Sequence, residues 1–139
     1  MNINNHNNLI LLLLVLYFCD NQIRGRKRFQ KIICILKHKY NIPFRFEFIP
    51  YHYGPYSEYL SNTIDTLVGS GIIKEEFIVL DTFNHYLYEL SDYGKEMTEN
   101  FIREKDKDVM LEKIRKSSHE LNNMETADLV KISKKIFGM

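Results

Sequence analysis

Seven cations stand between residues 24 and 39 with no acid among them: Arg24, Arg26, Lys27, Arg28, Lys31, Lys37 and Lys39. Three of them, Arg26, Lys27 and Arg28, fall where a helix is expected to begin. A helix N-terminus carries partial positive charge and favours anions over cations. Cations gathered there are explained if they neutralise a bound anion, such as the phosphates of nucleic acid. At helical spacing residues 24, 27, 28 and 31 share one side, with Phe29, Ile32 and Ile33 turned elsewhere. The competing reading is a solvated charged face, which is what most helical charge runs are.

A second cluster is aromatic. Tyr51, Tyr53, Tyr56 and Tyr59, with His52, surround Gly54-Pro55. Tyrosines so placed form a stacking platform for a base or a pocket for a partner. Equally, they fill core between elements. The remaining chemistry is sparse. His6, His38, His52, His85 and His119 show neither an HxH nor an HExxH pattern, and neither Cys19 nor Cys34 has a His at ligand spacing, so no metal site is expected. No glycine-rich phosphate loop occurs. No nucleophile has a base beside it, so no catalytic residue and no cofactor is assigned, and enzyme activity is not expected. Two cysteines are too few for a secreted disulfide scaffold, and reduced thiols fit a cytoplasmic location.

These residues need elements to hold them. A chain of 139 residues suits a single soluble domain with a real core. The apolar run Leu9–Phe18 is too short to span a bilayer and reads as a buried helix, capped by Asn7 or Asn8. No membrane partner is expected. A stripe of Phe29, Ile32, Ile33, Leu36 and Tyr40 predicts a second helix over 26–40, ended by Pro43. Phe44, Phe46 and Phe48 alternate with Arg45 and Glu47, a short strand that Pro50 confines to an edge. Gly54-Pro55 is a turn signal. Ser57 is placed to cap a third helix that Gly69 and Gly71 stop.

Beyond this, Ile72–Leu80 and Tyr86–Leu90 read as two strands joined by the loop 81–85. Ser91 is placed to cap a fourth helix. Two more follow, separated at Asn122-Asn123, with Thr126 as the expected cap of the last. Three helices followed by a hairpin predict a mostly helical α+β chain, a winged helix-turn-helix with two extra C-terminal helices. The expected division is a winged-helix domain over 1–100 and a helical extension over 101–139, packed on the same domain or on a dimer partner.

Three stretches carry a resemblance. Gly25–Lys31 (GRKRFQK), Tyr51–Glu58 (YHYGPYSE) and Tyr88–Gly94 (YELSDYG) resemble the "GRKKLQK", "YGPYSEEL" and "YxLTxxG" stretches of the YwgA-like proteins. More distantly the chain is similar to the Panacea antitoxin domain, which has an "LQK" helix and a "YGP" turn. The likeness covers about residues 9 to 100 and implies a winged helix.

Charge then weighs on function. Overall the chain is near neutral, at +1, but residues 1–56 carry +6, residues 57–92 carry −6 and residues 93–139 carry +1. The third helix, the one a winged helix would place in a DNA groove, offers Ser57, Ser61, Asn62 and Thr66 for contacts but no Arg or Lys. Phosphate neutralisation and Arg–guanine pairing are the main sources of affinity and specificity, so ordinary groove reading is disfavoured. Two functions are therefore expected. One is a winged-helix DNA-binding regulator that holds duplex phosphates through Arg24, Arg26, Lys27, Arg28 and Lys31, with Ser57, Ser61 and Asn62 beside them. The other is a protein-interaction module, antitoxin-like or regulatory, that binds through Tyr51, Tyr53, Tyr56 and Tyr59. A homodimer through the C-terminal helices is expected by analogy with other winged-helix regulators.

Overall fold

The computed structural model describes residues 8–139, and the chain is a mostly helical α+β structure. In order it runs α1 (Asn8–Phe18), β1 (Ile23–Arg24), α2 (Arg26–His38), β2 (Ile49–Tyr51), β3 (Gly54–Tyr56), α3 (Glu58–Gly69), β4 (Ile73–Val79), β5 (Asn84–Leu90), α4 (Asp92–Glu104), α5 (Val109–Asn122) and α6 (Thr126–Ile136).

At the centre lies α1. Leu11 through Leu16 are all buried, which its unbroken apolar run requires: neighbours cover every side. One side is closed by α4 and α5 and another by β5. The second helix, α2, buries Phe29, Ile32, Ile33, Ile35 and Leu36 and is covered by α6 and α5. Leu111, Ile114, Leu121 and Leu129 of the last two helices join the same hydrophobic core as α1 and α2. The C-terminal helices thus spend their apolar stripes on their own chain.

Two antiparallel sheets complete the fold. One has the order β1-β5-β4, with Ile23 opposite Tyr88 and Ile73 opposite Leu90. The two-residue strand β1 is too short to leave a periodic signal in the sequence. The other sheet is the small hairpin β2–β3.

Here the structure corrects the sequence. The chain turns at His52-Tyr53, with Tyr51 paired to Gly54 and Pro50 to Pro55, so Gly54-Pro55 belongs to a strand. Proline is tolerated because each of these strands has only one neighbour. Residues 44–48 are not strand, although Phe44, Phe46 and Phe48 are buried and Arg45 and Glu47 exposed, as alternation predicts.

The helix caps follow their residue types. Ser57 Oγ accepts from Leu60 N at 3.1 Å, Ser91 Oγ from Gly94 N at 3.1 Å and Asp108 Oδ1 from Leu111 N at 3.1 Å. Asn8 lies inside α1, and its Oδ1 accepts from the Arg45 amide at 2.7 Å; Asn7 lies outside the described residues. Thr126 is the first residue of α6, not its cap. Glu125 holds that position without a side-chain bond.

Candidate functional site

The cations of the Arg24–Lys31 segment do not form a common face. Arg26 turns inward between α2, α3 and the β4–β5 hairpin. Its Nη2 meets Asp65 Oδ1 at 2.7 Å and Glu75 Oε2 at 3.2 Å. Its Nη1 donates to Ser61 Oγ at 2.7 Å, and its Nε donates to the Tyr88 hydroxyl at 2.9 Å. Tyr88 donates in turn to Glu75 at 2.7 Å. Burial opposes the Arg26 charge, but the bonds to Asp65 and Tyr88 outweigh it and hold the guanidinium protonated. Burial and the Glu75 bond raise the Tyr88 phenol. Both groups keep their ordinary protonation, and the constellation is a closed electrostatic knot.

Arg28 points the other way. Its Nη2 donates to the Asn122 carbonyl at 2.7 Å and its Nη1 to Thr126 Oγ1 at 3.1 Å. It thereby satisfies an end carbonyl of α5 and joins the α5–α6 corner to α2. Lys31 is only 3% exposed, and its Nζ donates to the Pro55 carbonyl at 2.7 Å. Burial, aided by Lys27 and Lys134, lowers its ammonium to about 8. The expected side shared by residues 24, 27, 28 and 31 is therefore broken up: Lys31 is core, Arg28 is bonded to α5 and α6, and only Arg24 and Lys27 stand exposed. Arg24 lies 3.2 Å from His85 Nε2, and Lys27 sits over the Tyr53 ring at 4.9 Å.

The α3 residues divide in the same way. Ser57 is a buried cap whose amide and carbonyl both bond the Gln30 side chain, at 2.9 and 2.8 Å. Ser61 accepts from Arg26. Asn62 is exposed, beside Glu58, Tyr59, Asp65 and Thr66. That face presents two carboxylates and no cation.

The tyrosines, by contrast, are displayed. Tyr51, Tyr53 and Tyr59 are 54%, 67% and 57% exposed, which rules out a core-filling role for them. Tyr51 packs on Tyr56 with ring centroids 5.6 Å apart, and Tyr59 leans on buried Phe46 at 5.1 Å. Two hollows flank the β2–β3 hairpin. The inner one, about 230 Å³, lies between Tyr51, Tyr53, Gly54 and Tyr56 and the α2 residues Arg26, Lys27, Gln30 and Lys31. The outer one is lined by Glu47, Ile49, Tyr51, Tyr56, Glu58 and Tyr59.

The sequence also left an apolar tip unnoticed. Phe77, Val79, Leu80, Phe83 and Tyr86 of the β4–β5 hairpin are all at least 44% exposed. Phe77 and Tyr86 are cross-strand partners with rings 5.0 Å apart. The signal lies in the register: Phe77, Val79 and Tyr86 share the sheet face of Ile73, Leu90 and Tyr88 but stand beyond Tyr88, where the core ends. Arg26 lines both the inner tyrosine hollow and a cleft with Tyr86, so the two aromatic displays meet at that residue.

Among the described residues no helix is long and apolar enough to cross a membrane. No group of three or more His, Cys, Asp or Glu there is placed to hold a metal ion.

Comparison with known proteins gives a partial likeness. Over 78 residues the chain is 37% identical to the uncharacterised protein YwgA of Bacillus subtilis (strain 168), an alignment covering 55% of this chain and 46% of that protein. The chain thus spans less than half the length of the curated relative it matches. No family model matches it.

Proposed function

We propose that the chain is a winged-helix module of the YwgA-like kind that binds a protein partner through its hairpin tyrosines and does not read DNA. The order helix, short strand, helix, helix, hairpin supports the winged-helix assignment, with β2–β3 as an insertion before the third helix. The likeness to YwgA and the three sequence stretches support the family. Two buried free thiols suit a cytoplasmic protein.

The observation that carries the functional reading is the fate of the cations. Arg26 is matched by Asp65 and Glu75, Arg28 by the α5–α6 corner and Lys31 by Pro55. Of the Arg24–Lys31 cations only Arg24 and Lys27 are left to displace counterions from a duplex, and the exposed side of α3 offers phosphate no cation. Exposed tyrosines are the residue type that dominates protein-binding hot spots. A homodimer is the second reading. The exposed apolar hairpin tip favours it, while the C-terminal helices are occupied at home.

Affinity capture from the native host, run beside sedimentation, tests the proposal. Wild-type protein is expected to retain one partner that the Tyr53→Ala, Tyr59→Ala double variant loses at unchanged melting temperature. Capture of the same partner by the variant contradicts the reading. Sedimentation as a dimer that Phe77→Ser dissociates supports the second.

A further inference from the structure

The inner hollow combines features that the protein-partner reading does not use. Three tyrosine side chains and the Gly54 backbone wall it, and Lys31 lies at its base. Gly54 permits this closeness: with φ at +106° and Lys31 Cε, Lys134 Cγ and Ser133 Oγ each 3.4 Å from where a Cβ would stand, a side chain there is strained and crowded. The Lys31 ammonium has three protons and one acceptor, the Pro55 carbonyl. Among the described residues no carboxylate pairs with it, although Arg26, lining the same hollow, has two. A buried cation without a counter-ion is costly unless something supplies the missing charge.

From this we infer that the hollow between α2 and the β2–β3 hairpin is a binding site for a small aromatic carboxylate, which acts as an effector of the tyrosine face. Two ammoniums line the hollow without a carboxylate partner among the described residues, exposed Lys27 and buried Lys31, and the buried one, which water does not screen, calls for a negative charge. The flat aromatic walls call for a ring, stacked on Tyr53 or Tyr56. At about 230 Å³ the space is below the roughly 300–1,000 Å³ range that takes drug-sized ligands, so one or two fused rings fit and a nucleotide does not. Tyr51 and Tyr56 line both this hollow and the outer one, so a ring seated inside touches the side chains that a partner meets outside. The inference rests on the reading that the tyrosine hairpin is the binding face.

Calorimetric titration of the full chain with indole-3-carboxylate and with its neutral amide tests it. The acid is expected to bind at least tenfold tighter than the amide. Lys31→Met, which keeps all but the last heavy atom of the side chain's length and removes its charge, is expected to abolish that preference. Tyr53→Ala is expected to weaken acid and amide alike. Should Lys31→Met fail to fold, the wild-type acid-to-amide ratio and its decline at alkaline pH, where Lys31 loses its proton, carry the test. Equal binding of acid and amide, a preference that survives in folded Lys31→Met, or no binding of either in the millimolar range overturns the site. Partner capture that persists after such a result leaves the protein-partner reading standing and removes only the effector.

Discussion

At Arg26 one side chain ties three elements together, and its removal leaves Asp65, Glu75, Ser61 and the Tyr88 hydroxyl with bonds to replace. Losing the partner of a part-buried polar group costs about 1–3 kcal/mol. Arg26→Ala is therefore expected to lower the unfolding free energy by that order, read as a lower urea midpoint at unchanged slope, and Arg26→Lys to recover little, since an ammonium cannot reach all four acceptors in one plane. An unchanged midpoint in Arg26→Ala would mean that the arginine is free for another role. Lys31 makes a prediction of opposite sign. Burial lowers its folded-state value to about 8, against an ordinary lysine value of about 10.4 in the unfolded chain. Between those values the unfolded state binds more protons, so stability rises with pH across that window. Below about pH 8 both states are protonated and the full cost of burying the charge is present. Measured as the difference from Lys31→Met, wild-type stability is expected to climb from pH 7.5 to about 9.5; the difference cancels the buried thiols Cys19 and Cys34, whose raised values act the other way over this range. Lys31→Met, with no charge to lose, is expected to lack this rise. Parallel profiles for the two proteins contradict the assignment.

Among the elements, local rules of sequence were good guides where the signal is short-range. Ser57 and Ser91 cap the helices that they were predicted to cap, and the 26–38 helix follows its apolar stripe. Failures occurred where tertiary partners decide. Gly54-Pro55 has the composition of a turn, yet the pairing of β2 with β3 puts the bend at His52-Tyr53. Thr126 has the composition of a cap, yet its hydroxyl serves Arg28. The tyrosines and the basic run were both legible as clusters. What no periodicity reveals is that Arg28 and Lys31 would reach toward α6 and β3, far along the chain. Gly94 illustrates the same limit. It looks like a loose end of a "YG" motif, but a Cβ there would lie 2.3 Å from the Ile72 carbonyl, because α4 begins hard against the start of β4. Gly94→Ala must push the two apart. A loss of about 1–3 kcal/mol or more is expected on thermal melting, typical of overpacking. A melting temperature within a degree of wild type would show the contact to be soft.

For the whole molecule, the tight integration of α5 and α6 bears on how the chain divides. Arg28 binds their corner, Asn122 Nδ2 donates to the Cys19 carbonyl at 3.1 Å, and Leu111, Ile114, Leu121 and Leu129 sit in the shared core. Removing residues 105–139 uncovers α1 and α2, whose buried leucines and isoleucines then face water. A chain ending at residue 104 is expected to lose its cooperative melt and to aggregate. A soluble fragment with a sharp transition would instead make the first hundred residues a self-sufficient domain. Net charge matters at this scale too. The excess of +6 in residues 1–56 suggests an electropositive half. Folding pairs Arg26 with Asp65 and Glu75 and turns Arg28 and Lys31 to backbone carbonyls, so these three are withheld from a partner, while Arg24, Lys27, Lys39 and Arg45 stay exposed.

Whether Arg26, Arg28 and Lys31 are indeed withheld from nucleic acid is read from a salt-dependent titration of a labelled random-sequence duplex. With only Arg24 and Lys27 exposed in the segment, wild-type protein at low salt is expected to bind weakly or not at all, with a log–log salt slope no steeper than about −2. Tight binding with a slope of about −5 or steeper, abolished by Arg24→Glu with Lys27→Glu, would show instead that this segment holds duplex phosphates.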